Sequence, residues 1–383
     1  GARGRRLILA PWLSLSETRI ADPLNEFAGR LDASEDHSLM HGYRLSVRYP
    51  VAVQTLPGLL LTPLTTAVYR HERFVGKDQG GDSLTRTVRE RHRVAVVGEL
   101  TLDYEPAQVA LVVSGRYEGV IDESDTERPA PTHIGSFRAG LVYRPIPQLT
   151  LRTNVSRGAR FPTLFERFGD SAYVLGRAEL KPEQGTTVDV GLRFDARGLD
   201  PGEYLWVEAL GFTTWVDDLI HYAQNSQGVS RPDNTERALL AGVEGGLVAD
   251  VFRHLRVQSN FTWMVTENRG PIVARRGQPL PYRPTWRSYT RLEAYGDVGG
   301  GQELGGAVDI TYSSGHALDH ANLSVVPERL VLGAGAWVDL LDSQLRIAVN
   351  LRNMTDLQLV DFSGYPMPGL TAMVSVTGRP SLD

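Results

Sequence analysis

Apolar and polar residues alternate along most of this chain. Between 186 and 195, Thr186, Val188, Val190, Leu192 and Phe194 alternate with Thr187, Asp189, Gly191, Arg193 and Asp195. Leu345, Ile347, Val349 and Leu351 alternate in the same way with Arg346, Ala348, Asn350 and Arg352. So do Leu255, Val257, Phe261, Trp263 and Val265 with Arg256, Gln258, Asn260 and Thr262. A period of two puts successive side chains on opposite faces of a strand, so each run reads as a strand with one apolar and one polar or charged face. About 16 such runs of ordinary strand length can be counted. They lie near 6–16, 42–52, 59–70, 91–103, 108–118, 134–144, 148–156, 185–195, 203–216, 238–249, 255–266, 285–296, 303–313, 329–340, 344–353 and 369–378. The first two carry apolar residues on both faces.

The connections fall into two alternating sets. Gln54–Pro57, Glu105–Ala107, Pro145–Pro147, Ala196–Gly202, Asp250–His254, Asp297–Gln302 and Leu341–Ser343 are short, and most hold the Pro, Gly or Asp that tight turns need. Glu17–Met40, His71–Glu90, Gly119–His133, Arg157–Gln184, Asp217–Arg237, Glu267–Pro284, Ser314–Glu328 and Met354–Pro368 are long. Strands joined alternately by short turns and long loops predict an all-β fold: a transmembrane, antiparallel up-and-down barrel, short turns on one rim and long loops on the other. A propeller would repeat a blade motif at a fixed period, and none is found. A sandwich would not need one polar face throughout.

Composition narrows the function. The chain has 383 residues and a formal charge of −5, which argues against a nucleic-acid partner. It has no cysteine, which removes disulfides, thiolate metal sites and cysteine nucleophiles. No apolar run approaches the roughly 18 residues of a membrane helix, so a membrane location would require a closed barrel. Gly1 is not an initiator Met and no signal peptide precedes it, so the chain is either a mature protein or a piece of a longer one.

Three segments carry a resemblance. The first is Ser156-Arg157-Gly158-Ala159-Arg160-Phe161-Pro162 with Leu180-Lys181-Pro182-Glu183; the second is Trp215-Val216-Asp217-Asp218-Leu219-Ile220 with Asn234-Thr235 and Gly242-Val243-Glu244. The third is Asn350-Leu351-Arg352-Asn353-Met354-Thr355-Asp356 with Gly364-Tyr365-Pro366-Met367-Pro368-Gly369. In order and spacing this set resembles the TonB-dependent outer-membrane receptors, well over 148–378 and by architecture alone before that. Each motif also has a local reason: Pro162 and Pro182 stop strand pairing at a rim, Asp217-Asp218 leaves the membrane zone, and Gly369 turns the chain into the last strand. These are scaffold roles.

The resemblance implies the C-terminal portion of a barrel of 22 strands with a plugged lumen, in the Gram-negative outer membrane. It implies a monomer in contact with lipid and lipopolysaccharide, and a partner in the inner-membrane TonB energy-transducing complex, reached through a plug. The implied cargo is a small-molecule chelate such as an iron–siderophore or cobalamin. Residues 1–383 are then one barrel domain, with the family's plug and first strands expected outside them. Two departures stand at the end: Leu370 replaces the family's usual Arg, and Arg379-Pro380-Ser381-Leu382-Asp383 replaces a terminal aromatic. A plugless 16-stranded diffusion pore and a surface adhesion barrel are the competing readings.

No catalytic Ser–His–Asp set is visible by spacing, so no enzyme is expected, and no resident metal or cofactor. Candidate ligand contacts lie in the long loops: Phe165, Arg167, Tyr173, Tyr222, Asn225, His316, His320 and Tyr365. His316, Asp319 and His320 read more readily as a solvated loop than as a metal site. Asp122, Glu123 and Asp125 read as a solvated charge run. The absence of His in 164–183 lowers haem as cargo, because haem receptors of the family carry one there. Arg6, Arg48, Arg116, Arg138, Arg152, Arg193, Arg256, Arg291, Arg346 and Arg352 are assigned to the polar strand faces that would line a lumen.

Overall fold

The computed structural model describes residues 6–21, 33–52, 56–80, 83–124, 128, 130–169, 174–197, 203–224, 230–319, 322–362 and 365–378. In chain order the elements begin with β1 (Arg6–Ala21), β2 (Ala33–Arg48), β3 (Val51–Ala52), β4 (Leu59–Gly80), β5 (Ser83–Tyr104), β6 (Val109–Ser124), β7 (Thr132–Ile146) and β8 (Leu149–Arg160). A one-turn helix α1 (Leu164–Phe168) precedes β9 (Glu183–Arg197), β10 (Tyr204–Gln224), β11 (Ser230–Val251), β12 (Leu255–Asn268), β13 (Trp286–Gly299) and β14 (Gln302–Ser313). Then come β15 (His316–Ala317), β16 (Val325–Val326), β17 (Arg329–Leu340), β18 (Leu345–Arg352), β19 (Val360–Phe362), β20 (Tyr365–Pro366) and β21 (Thr371–Gly378). Seventeen strands share one hydrogen-bonded sheet, and β15–β16 and β19–β20 form small pairs of their own. Each of the 16 alternating runs has its strand.

The chain divides into two units. The first holds Gly1–Tyr143, Thr153–Val188 and Thr214–Ala238; the second holds Arg144–Arg152, Asp189–Thr213 and Leu239–Asp383. In the first, β1 pairs with β2, β2 with β4, β4 with β5, β5 with β6 and β6 with β7, all antiparallel. In the second, β12 pairs with β13, β13 with β14, β14 with β17, β17 with β18 and β18 with β21, again antiparallel. Each strand pairs with the next long one in the chain, as an up-and-down sheet requires.

One expectation needs correction. Glu17–Met40, His71–Glu90 and Asp217–Arg237 are not mainly loop: β1, β2, β4, β5, β10 and β11 run far into them. Strands β4, β5 and β11 reach 22 residues each, twice the 9–11 that span a bilayer. Beyond the lipid neither face meets hydrocarbon, so apolar alternation ends there. The backbone ladder continues without it.

In the first unit the register puts one side-chain set on each face. Val94, Val96, Leu100, Leu102 and Tyr104 of β5 stand opposite Gly119, Tyr117, Val113, Leu111 and Val109 of β6. This face is apolar and open: Leu7 is 72 % exposed and Val94 53 %. The opposite face carries Arg89, Arg91, Arg93, Glu99 and Asp103 of β5. The second unit repeats the division. Leu304, Val308 and Ile310 of β14 oppose Val338, Ala334 and Leu332 of β17, while Asp309 lies on the other face with Trp337 and Asp339. Among the strand arginines assigned to the polar face, strand register places Arg6, Arg48, Arg116, Arg138, Arg256, Arg291, Arg346 and Arg352 there.

An apolar face this open is stable in hydrocarbon, not in water. From Val94 to Tyr104, β5 advances ten residues, or roughly 33 Å, and at the 35–45° tilt usual for such strands this covers about 25 Å of membrane. Aromatic residues edge that stretch, Tyr43 and Tyr69 in the Val94 row and Tyr104 and Tyr143 flanking Val109. Tight turns close the other ends. Gly299, Gly300 and Gly301 all take positive φ between β13 and β14, where a side chain would be strained.

The two faces of β9 should respond differently. Val190→Arg, at a position 62 % exposed on the apolar face, is expected to cost about 2–4 kcal/mol of folding stability in lipid. Arg193→Leu, which removes an exposed pair with Asp195, should cost below about 1 kcal/mol. Reversible unfolding of the refolded protein in bilayers measures both, and equal costs would overturn the face assignment.

Candidate ligand-binding site

The first unit holds a charged network where α1 and its flanking loop meet the polar face. Thr163 caps α1: the Glu166 amide donates to Thr163 Oγ1 (3.0 Å), and the Thr163 amide donates to Glu166 Oε2 (2.7 Å). This reciprocal box satisfies two free amides at the helix start. Arg160, the last residue of β8, donates to both Glu166 oxygens (3.1 and 3.0 Å) and binds Glu183 of β9 through Nε and Nη2 (2.6 and 2.9 Å). Its hydrogen bonds to Glu183, then to Glu166, outweigh burial and raise its pKa above the ordinary arginine value. Glu183 Oε1 also accepts the Ile220 amide of β10 (2.7 Å).

Below this node lies a buried triad. Arg91 binds Asp122 through two parallel bonds, Nε to Oδ1 (2.6 Å) and Nη2 to Oδ2 (2.7 Å). Arg167 of α1 adds Nη1 to Oδ2 (2.9 Å) and donates from Nη2 to the Leu180 carbonyl (3.1 Å). The Asp122 side chain is 0 % exposed. Burial lowers the Arg167 pKa and the adjacent Asp122 opposes that shift. Arg89 donates to the Gly169 carbonyl (2.7 Å) and lies against the Phe74 and Phe168 rings. Farther along the polar face, Glu118 pairs with both Arg93 and Arg116, and Arg93 lies over the Phe161 ring.

The balance on this face is positive. Among the strand residues whose register fixes the face, with Arg167 of α1, Arg6, Arg44, Arg48, Arg70, Arg89, Arg91, Arg93, Arg116, Arg138 and Arg167 are set against Glu72, Glu99, Asp103, Glu118 and Asp122. Arg70 has Glu72 no nearer than 4.0 Å, and its buried Nε has no hydrogen-bond partner. In the second unit four strand arginines each have a separate close carboxylate, where Glu118 and Asp122 of the first unit are each shared by two arginines. Arg256 pairs with Asp250 (2.6 Å), Arg291 with Glu293 (2.6 Å), Arg346 with Asp339 (2.5 Å) and Arg152 with Glu208 (2.6 Å).

The motif residues prove to be fasteners. Asn234 of β11 donates to the carbonyls of Lys181 (2.9 Å) and Asp218 (2.8 Å) and accepts the Lys181 amide (2.7 Å). Asp218 takes positive φ there. Asn353 donates to the Leu357 carbonyl and accepts its amide, and Asp356 accepts the Leu370 amide (2.8 Å) at the entry to β21. A Cβ at Gly369 would lie 2.2 Å from Asp356 Oδ1, so glycine is needed for that approach.

The sequence candidates scatter. Phe165 and Arg167 lie on α1, Phe165 half-buried and Arg167 buried in the triad. Tyr222 is exposed near the end of β10. His316 lies in β15 with Nδ1 buried and lacking a hydrogen-bond partner, and Tyr365 opens β20. Tyr173, Asn225 and His320 lie outside the described residues. The Asp319 carboxylate accepts the Leu323 and Ser324 amides and so closes its own loop. The reading of 122–125 as a solvated charge run fails at Asp122, which is buried at the end of β6 between two arginines. Sequence reasoning also missed Arg70, Arg89, Arg91 and Arg93 as one face. The signal was available: Arg89-Glu90-Arg91-His92-Arg93 keeps the strand period where its apolar half ends.

A sheet that is apolar on one face and charged on the other is what the wall of an outer-membrane β-barrel requires. The family model described as TonB dependent receptor-like, beta-barrel matches residues 16–354. The chain therefore belongs to the TonB-dependent receptors, as part of their β-barrel, a family of transporters of the Gram-negative outer membrane and not of enzymes. No curated protein matches the sequence. Among solved structures it is similar to the siderophore receptor PiuA from Acinetobacter baumannii, at 14 % identity and a TM-score of 0.73 over 98 % of this chain and 62 % of that one. It is similar to the copper transporter OprC at 15 % identity and a TM-score of 0.75, over 97 % and 61 %. Ferric citrate transporter FecA gives 11 % identity and a TM-score of 0.71, over 93 % and 55 %. The chain thus spans about three fifths of these relatives or less, and at these identities the likeness concerns the fold.

Asp122→Asn should leave the Arg91 and Arg167 charges buried without a counter-charge, at a cost of about 3–5 kcal/mol. The urea midpoint of the refolded barrel measures it. An unchanged midpoint would show that Asp122 does not hold these charges.

Proposed function

We propose that this chain is the wall of a receptor that takes up a scarce anionic metal chelate, with iron–siderophores as the leading class and cobalamin as a further cargo of the family. The observation that carries the reading is the surplus of guanidinium on the polar face of the first unit. Arginine suits carboxylate and other oxyanion groups because its planar fork donates two parallel bonds. The partly engaged Arg70 is the first residue assigned to ligand. Phe165, Tyr222, His316 and Tyr365, with Tyr173, Asn225 and His320, are proposed as contacts on the loop rim. Arg167 serves by holding α1 in place.

In this reading residues 1–383 act as one barrel domain in contact with outer-membrane lipid and lipopolysaccharide. Gating belongs to the plug implied by the family, moved by the inner-membrane TonB complex. The barrel works as a monomer and contributes wall, rim and charge. Capture by several weak, charge-assisted contacts fits a ligand present at low concentration, since each such contact adds affinity without chemistry on the cargo.

Cells carrying the full-length receptor test this with a panel of labelled ferric siderophores. Uptake of at least one anionic member should require the energy-transducing complex. It should fall roughly tenfold in apparent affinity with Arg70→Gln, the loss of about 1.4 kcal/mol. Uptake that ignores both changes, together with steady ion conductance in planar bilayers, would replace this reading with an open diffusion pore.

A further inference from the structure

We propose that His71, Glu90 and His92 form a binding site for a divalent transition-metal ion on the apolar face of the first unit, just beyond the lipid band. This site is separate from the polar face that carries the proposed cargo contacts. Its existence does not depend on that function.

The position follows from register. His41 of β2 stands opposite His71 of β4, and His71 opposite His92 of β5. The strand period puts all three on the same face as Val94 and Val96. His92 lies two residues beyond Val94, on the side away from Tyr104 and the short turn, and so belongs to the headgroup level and not the hydrocarbon. The rings form a row, with centroids 5.0 Å apart for His41–His71 and 4.6 Å for His71–His92. Glu90, on the same face, brings Oε2 to 3.4 Å from His71 Nε2.

The geometry suits a metal. In a tetrahedral site with ligand bonds of 2.0–2.1 Å, neighbouring ligand atoms lie about 3.3 Å apart. The His71–Glu90 edge already has that length. One ligand atom from each of His71, Glu90 and His92 lies within 4.8 Å of the other two, the only such group among the described residues. Two imidazoles and a carboxylate suit Zn²⁺, Cu²⁺ or Ni²⁺ better than the oxygen-seeking Ca²⁺ or Mg²⁺. All three side chains are half-buried and come from two paired strands, so the backbone ladder fixes their spacing.

Supporting contacts orient the ligands. The Tyr69 hydroxyl hydrogen-bonds His92 Nδ1 at 2.9 Å. Arg73 Nε sits 3.3 Å from Glu90 Oε1, which holds one carboxylate oxygen and turns the other to His71. Such outer contacts normally accompany metal ligands and set ring and carboxylate orientation. Arg73 is also a nearby positive charge and weakens cation binding, so the site is expected to bind at micromolar ion concentrations or above. His41 meets the His71 ring edge-on and is the nearest further imidazole.

The test uses the full-length protein in detergent, with Cu²⁺ as the probe. One equivalent should give an axial electron paramagnetic resonance spectrum with hyperfine coupling to two imidazole nitrogens. The signal should vanish in the double variant His71→Gln/His92→Gln and persist in His254→Gln, which alters a remote turn histidine. Glu90→Gln should weaken binding at least tenfold. A readout without mutation guards against misfolded variants: Zn²⁺ should protect His71 and His92, but not His254, from diethyl pyrocarbonate, as read by mass spectrometry. Copper binding unchanged in the double variant, or no zinc protection at His71 and His92, would overturn the site and leave the row as interfacial aromatic side chains only.

Discussion

The whole structure depends on one constraint: a backbone amide or carbonyl in hydrocarbon must find its partner within the protein. The antiparallel ladder meets it strand by strand, and side chains are then free to serve two solvents. This explains why the described residues hold few large buried apolar side chains. Those that exist, such as Phe161, Leu164 and Leu180, lie under or beside the α1 loop, where the chain leaves the ladder and needs packing of the ordinary kind. Elsewhere lipid takes the part of the core. Glycine and alanine opposite aromatic rings keep the sheet close: a Cβ at Gly305 would strike the Trp337 ring at 2.2 Å.

Where the ladder ends, polar fasteners replace it. Arg160, Glu166 and Glu183 join β8, α1 and β9, and Asn234 ties β11 to the Lys181 segment and to Asp218. These residues are recognisable in sequence because each has a task few others can do. Asn234 must donate and accept with one amide, and Asp218 must tolerate a left-handed backbone. A recurrent motif of this kind therefore reports construction of the rim, and says little about cargo.

That division decides what could be read in the sequence. The 16 long strands were legible because lipid on one side and polar surroundings on the other impose a strict period of two. Strand ends were not, since β4 and β5 continue to Gly80 and Ser83, beyond the stretch where lipid imposes the alternation. Asp122 shows the same limit from another angle. Its neighbours Glu123 and Asp125 look like a solvated acidic run, yet the register of β6 against β5 turns Asp122 towards Arg91. Pairing of charges across strands is a property of register, which a single run of residues does not contain. The loop candidates scatter for the same reason. His316 and Tyr365 belong to small strand pairs of their own, so proximity in type did not become proximity in space.

The distribution of charge then separates wall from receptor. A guanidinium on a lumen face costs little if a carboxylate stands beside it, and the second unit follows that rule at Arg152, Arg256, Arg291 and Arg346. Had the first unit been built only for stability, it would follow the rule as well. Instead, Glu118 is shared by two arginines, Asp122 by two more, and Arg70 keeps a buried nitrogen without a partner. Like charges at this density repel, and their field attracts anions. In the proposed function the compensating charge is an anion arriving from outside. On the reading proposed above, the surplus is the part of the wall that meets anionic cargo.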